Sequence, residues 1–125
     1  MSNEAVEKRT IVSFTPEFKR NLRQLAKKYR RIKDDIQPVL DELENGGKPG
    51  DQIPGVRYEV YKVRTRNSDS GKGVSGGYRI VYQAVNEAIA LITIYSKTEQ
   101  EDITSSDIRE IILNYEKLGN DENAS

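Results

Sequence analysis

The sequence contains no cysteine and no histidine. The first absence excludes disulfides and thiol catalysis, and the two together exclude Cys/His zinc sites. Without histidine, the side chain whose ordinary pKa lies nearest neutrality is not there for acid–base work. A cysteine-free chain fits a reducing compartment. Long hydrophobic runs are also missing. The longest, Ala88 to Ile94, is interrupted by Thr93 and is far too short to span a bilayer. The opening MSNEAVEKRT is polar and carries no apolar signal core. The expectation is a cytoplasmic protein with no membrane partner, no metal and no small-molecule cofactor.

What is present fits one domain. The chain has 125 residues, 35% hydrophobic and 32% charged, a polar but globular mixture with room for a modest core. Lys plus Arg and Asp plus Glu balance at 20 each, yet the charges are segregated. Eight bases and no acid lie between Lys19 and Lys33, whereas eight acids against Arg109 and Lys117 lie from Glu99 onward. Such asymmetry suits a basic surface facing a polyanion or an acidic partner, and it equally suits ordinary solvated helix faces.

The pattern of apolar residues predicts the element order. Residues 1–10 read as a flexible arm, followed by one domain over 11–118. Ile11 to Phe14 is a short strand. Thr15-Pro16 caps and starts a helix, with Phe18, Leu22, Leu25 and Tyr29 on one face and bases on the other. A second helix carries Ile32, Ile36, Val39, Leu40 and Leu43. Pro38 is expected to kink it or mark a late start, and Asn45-Gly46-Gly47 ends it. Lys48 to Gly55 reads as a loop. Three strands follow, Tyr58 to Arg66, Tyr78 to Val85 and Ile89 to Tyr95, with Asn86-Glu87 as the tight turn of an antiparallel pair. Ser105 or Ser106 caps a last helix through Ile108, Ile111, Ile112 and Tyr115, stopped by Gly119. Residues 119–125 read as a disordered tail. The fold class is α+β: a small antiparallel sheet with helices packed on one face, in the order β-α-α-β-β-β-α.

The glycine-rich run SGKGVSGG, Ser70 to Gly77, resembles a phosphate-binding loop only in composition. A P-loop requires a glycine where Arg66 stands, a Ser or Thr where Gly73 stands, and a helix where the strand TyrArgIleValTyr begins. The stacked amides of a helix N-terminus are missing, so the P-loop is excluded. The run is too long for a simple two-strand connection. Lying between Arg66 and Arg79, it is expected at the rim of any site those residues build, mobile in the free protein, with Lys72 adding a screened attraction for phosphate, and the plainer alternative is a passive hairpin linker.

The strand Tyr58 to Arg66 carries the most chemistry. Tyr61, Val63 and Thr65 alternate with Lys62, Arg64 and Arg66. Unpaired charges at every second position do not suit a buried face. That face is therefore expected to be open, with Arg79 on the next strand and Lys97 just past the third. Convergent arginine and lysine beside Tyr58 or Tyr95 suit a phosphodiester backbone with stacked bases. The plainer alternative is a solvated strand whose bases pair with Glu59 or Glu99.

Three stretches also carry a resemblance: Tyr61-Lys62-Val63-Arg64, Ser75-Gly76-Gly77-Tyr78-Arg79-Ile80-Val81-Tyr82, and Ile94-Tyr95-Ser96-Lys97-Thr98-Glu99-Gln100-Glu101-Asp102-Ile103. Over roughly Ile11 to Leu118 the chain resembles toxins of the RelE/ParE superfamily of type II toxin–antitoxin modules, on the RelE and HigB-like side. The resemblance implies a RelE-like fold and a metal-independent endoribonuclease that enters the ribosome, cuts messenger RNA through the messenger's own 2′-hydroxyl, and is held by a cognate antitoxin. It implies catalytic roles for Lys62, Arg64, Arg79 and Lys97. By the resemblance Arg64 and Arg79 stabilise the phosphate and Lys62 is the candidate base, whereas the family's proton donor is not matched, which leaves Lys97 as the first candidate donor with Tyr95 and Glu99 behind it. Arg66, Lys72 and Tyr95 bind RNA. Thr98 and Thr104 stand where the RelE branch has arginine and tyrosine. The alternatives are a ParE-like gyrase-inhibiting toxin and a non-catalytic RNA-binding relative.

Overall fold

A computed structural model describes residues 9–70, 76–100 and 102–124 of the protein. The elements are β1 (Ile11–Phe14), α1 (Pro16–Lys28), α2 (Ile32–Glu44), β2 (Asp51–Gln52), β3 (Val60–Thr65), β4 (Tyr78–Val85), β5 (Ala88–Ser96) and α3 (Ser105–Ala124). The order is the α+β order that the apolar pattern predicts, with the two-residue strand β2 added inside the segment read as a loop.

Local chemistry explains most boundaries. Thr15 is fully buried, and its hydroxyl does two jobs. It accepts from the Phe18 N–H at 3.0 Å, capping α1, and donates to the Ile92 carbonyl at 2.7 Å, tying the helix start to β5. Pro16 then occupies the first turn, where its missing N–H is not needed. α2 runs unbroken through Pro38, which is exposed, and ends on Gly46 at φ +93°. The cap of α3 is Thr104, whose Oγ1 accepts from the Asp107 N–H at 3.0 Å; Ser105 and Ser106 lie inside the helix. The backbone of α3 continues through Gly119 to Ala124, past the stop that glycine suggested.

The five strands lie in the order β1-β5-β4-β3-β2. β2, β3, β4 and β5 pair antiparallel, with Asn86-Glu87 as the two-residue turn between Val85 and Ala88. Asn86 takes φ 56°, as such a turn requires. β1 differs: it lies parallel to β5, with Ile11 opposite Ala88, so the sheet is mixed.

The helices do not share one face, as the sequence pattern suggested. α1 and α2 bury Phe18, Leu25, Tyr29, Ile32, Ile36, Val39 and Leu43 against Val63, Ile80, Tyr82 and Leu91. α3 packs on the opposite face, where Ile108 and Ile112 meet Val60, Val81, Ile92 and Tyr95. The physical reason lies in β4 and β5. Both are buried at successive positions rather than alternate ones, so each face of the central strands needs a cover. A register shift at Val81/Tyr82 re-aims β5 between the two layers.

Gly77, just before β4, lies tight against the end of β3. A Cβ there would meet the Thr65 carbonyl oxygen at 2.1 Å and the Arg66 Cα at 3.1 Å. Gly55, by contrast, has φ +79° but open space around it. We expect Gly77→Ala to lose about 2–4 kcal/mol in chemical denaturation, by displacing β3 from β4, and Gly55→Ala to lose only about 1 kcal/mol. Equal losses would mean that the strand approach at Gly77 is not what the glycine serves.

Candidate functional site

β3, β4 and β5 place the sequence-predicted residues in successive rows at one end of the sheet. In the first row Lys62 lies opposite Val81, and Val81 opposite Thr93. In the next, Arg64 lies opposite Arg79, and Arg79 opposite Tyr95. Beyond the strand ends, Arg66 follows Thr65, and the Lys97 N–H donates to the Gly77 carbonyl at 2.9 Å. The alternation on β3 holds as read: Tyr61 and Val63 pack toward α1 and α2, leaving Lys62 and Arg64 on the α3 side. On that side α3 covers Val60, Val81, Ile92 and Tyr95, and the bases take the remaining area.

The rows are not the uniformly open surface that the strand pattern suggested. Arg64 and Arg66 are exposed, Lys62 and Lys97 half-buried. Arg79 is only 5% exposed. Burial, followed by the neighbouring Arg64, pulls its pKa below the ordinary arginine value, and Tyr95 and Asp102 pull it back. The reason is position: Arg79 sits on the central strand, flanked on its own face by Arg64 of β3 and Tyr95 of β5. Tyr95 is likewise 5% exposed. Its ring is packed in the layer under α3, so it offers the face a hydroxyl rather than a ring on which a base could stack. Tyr58, half-buried, packs against the same layer.

One residue of this face escaped the sequence reading. Asp102 follows β5 on the way to α3, and its Oδ1 accepts from the Tyr95 hydroxyl at 2.7 Å and from the Lys62 ammonium at 3.1 Å. The Ile103 N–H donates to the same oxygen at 2.9 Å. These bonds, the one from Tyr95 foremost, draw the Asp102 carboxyl down to about 2. Burial and Asp102 in turn push the Tyr95 hydroxyl well above the ordinary phenol value. The acids weighed as partners for the basic strand go elsewhere. Glu59 takes Lys48 and Tyr61, and Glu99 takes Lys28 and Tyr29 on the α1 side. Asp51 on β2 lies opposite Lys62 in register. The signal for Asp102 was present only as one acid among several after Lys97; rank among them needs the register.

The segment that leads into the glycine-rich run is anchored. Asp35 on α2 accepts from the Ser68 N–H and hydroxyl, and Asp69 accepts from the Arg31 N–H. Lys72 and the expected mobility of the run lie outside the described residues. The basic segment Lys19 to Lys33 belongs to α1, α2 and the turn between them, and so lies across the sheet from the Arg64–Arg79–Tyr95 row. No helix among the described residues is long and apolar enough to cross a membrane.

A family model described as "ParE toxin of type II toxin-antitoxin system, parDE" matches residues 12–101. The chain belongs to this toxin family. Membership implies an antitoxin as partner and agrees with the RelE/ParE resemblance of the three stretches quoted above. No curated protein matches the toxin closely enough to count as a relative. The match begins in β1 and ends just before Asp102, so it covers every basic residue of the rows.

The low Asp102 pKa sets a pH dependence for the toxin. The folded value of about 2 lies below the unfolded value of about 3.9. The stabilisation is therefore fully present above about pH 4 and lost as pH falls toward about 2. A carboxyl-carbon NMR titration of Asp102 should show its midpoint near the lower value. A midpoint near 4 would mean that the Tyr95 and Lys62 bonds do not persist in solution.

Proposed function

We propose that the toxin is a messenger RNA endoribonuclease whose scissile phosphate sits over the row Arg64–Arg79–Tyr95. The observation that carries this reading is the register of two arginines. Like charges directly opposite each other across a strand pair are destabilising, yet Arg64 faces Arg79 on the side of the sheet shared with Lys62. An anion between two guanidiniums turns that repulsion into attraction, and a phosphate accepts hydrogen bonds from both.

The chemistry follows from the substrate. The 2′-hydroxyl gives its proton to water as its oxygen attacks the adjacent phosphorus, the bond from phosphorus to the 5′-oxygen breaks, and that oxygen takes up a proton. A cyclic phosphate and a free 5′-hydroxyl result. Negative charge grows on the phosphorus oxygens in between, which is where fixed cations act most strongly. Arg64 and Arg79 supply this stabilisation. Lys62, in the neighbouring row, adds a donor that in the resting protein pairs with Asp102. Lys97, beside Gly77 at the open end of the rows, is the donor to the leaving 5′-oxygen. The ribosome supplies the messenger, and the antitoxin holds the toxin inactive.

A second reading, inhibition of gyrase, is favoured by the family description, which names the parDE module. One experiment separates the two. The toxin is induced without antitoxin while messenger ends are mapped and gyrase–DNA breaks are followed. The endoribonuclease reading expects new messenger ends, and Arg64→Ala should reduce their rate of appearance by about a hundredfold while the exposed position leaves the fold intact. Intact messengers with accumulating gyrase–DNA breaks would transfer the toxin to the second reading.

A further inference from the structure

The basic face already binds an anion, and the anion is part of the chain. Asp102 Oδ1 gathers the Tyr95 hydroxyl at 2.7 Å, the Ile103 N–H at 2.9 Å and the Lys62 ammonium at 3.1 Å, and Oδ2 lies 3.4 Å from the same ammonium. Two of these donors, Tyr95 and Lys62, belong to the sheet face proposed to hold phosphate. The Arg79 guanidinium is drawn by the same carboxylate. A phosphodiester and a carboxylate both need these donors, and two negative charges do not share one set of them a few ångströms apart.

We propose that Asp102 sets the affinity of this face: it occupies the anion position in the resting toxin, and a phosphodiester binds by taking over Lys62 and Tyr95 from it. The inference rests on the reading of the face as a phosphodiester surface and adds a competitor that is built into the chain. The exchange is small. The Asp102 side chain is 55% exposed, and turning it outward returns its carboxylate to water. Exposed ion pairs of this kind contribute little, so the carboxylate weakens binding without abolishing it. A residue that merely positioned Lys62 and Tyr95 for RNA would have the opposite effect, since its loss would loosen both donors and weaken binding.

The test compares equilibrium binding of a short single-stranded RNA, 2′-O-methylated so that it resists cleavage, to the intact toxin and to Asp102→Asn. Asparagine keeps one acceptor oxygen for Tyr95 and Ile103, removes the charge, and puts an NH2 donor in place of Oδ2. Asp41→Asn is the control, an exposed acid on α2 across the sheet, where the same charge is removed. The proposal expects Asp102→Asn to bind roughly two- to fivefold more tightly, Asp102→Glu to bind like the parent, and Asp41→Asn to bind like the parent at the same salt. Unchanged or weaker binding by Asp102→Asn, an equal gain in Asp41→Asn, or no RNA binding by any form overturns it. Failure of the endoribonuclease reading shows separately, as intact messengers on induction while the Asp102→Asn gain in RNA binding persists.

Discussion

Arg79 is the second residue of the central strand β4, whose side chains are buried on both faces, and an ionised guanidinium there needs acceptors and counter-charge. Much of the toxin's second face is arranged around that demand. Arg64 stands opposite on β3, Tyr95 opposite on β5, and Asp102 comes in from the segment that leads to α3. α3 covers the apolar part of the same face through Ile108 and Ile112 and stops short of the charged rows. A helix laid over those rows as well would bury Lys62 and Arg64 along with Arg79. The division of one sheet face into an apolar half and a cationic half is thus a consequence of electrostatics as much as of packing.

The segment after β5 works on both layers. Glu99 reaches back to Lys28 and Tyr29 beside α1, and Asp102 reaches forward to Lys62 and Tyr95 beneath α3. Two acids three residues apart therefore join the helix layers to the sheet end where the bases converge. The Glu99 carboxyl, like that of Asp102, is held below the ordinary range, chiefly by its bond from Lys28. At neutral pH both carboxylates are ionised, and the chain carries its own counter-charge on each side of the sheet.

The element order was legible because local signals are strong where they occur. Thr15-Pro16 announces a helix start, Asn86-Glu87 a two-residue turn, and the alternation of Lys62, Arg64 and Arg66 with apolar neighbours a strand with one polar face. What failed to show depends on contacts distant in sequence. The parallel pairing of β1 joins Ile11 to Ala88, and no residue in either strand encodes its partner. The side chosen by α3 is hidden because β5 is largely apolar at both parities and β4 mixes Arg79 and Gln83 with Val81 on its second face, a pattern that does not say what covers it. The burial of Arg79 escaped because its charge was read with β3, whereas its exposure is set by β4. Asp102 stayed one acid among several until the register placed it beside Tyr95 and Lys62. The catalytic reading of Lys62, Arg64, Arg79 and Lys97 came from resemblance. Geometry adds that three of them lie in adjacent rows and that the fourth follows Tyr95 by two residues.

The central claim is that the Arg64–Arg79–Tyr95 row, and not the basic α1 and α2 surface across the sheet, receives the RNA phosphate. Amide chemical-shift mapping of the isotope-labelled toxin with a short 2′-O-methylated RNA tests it most directly. The account predicts that the largest shifts fall on Lys62 to Arg66, Tyr78 to Ile80, Tyr95 to Lys97 and Ile103. Shifts concentrated between Lys19 and Lys33, with the β3–β4–β5 row unchanged, would contradict it.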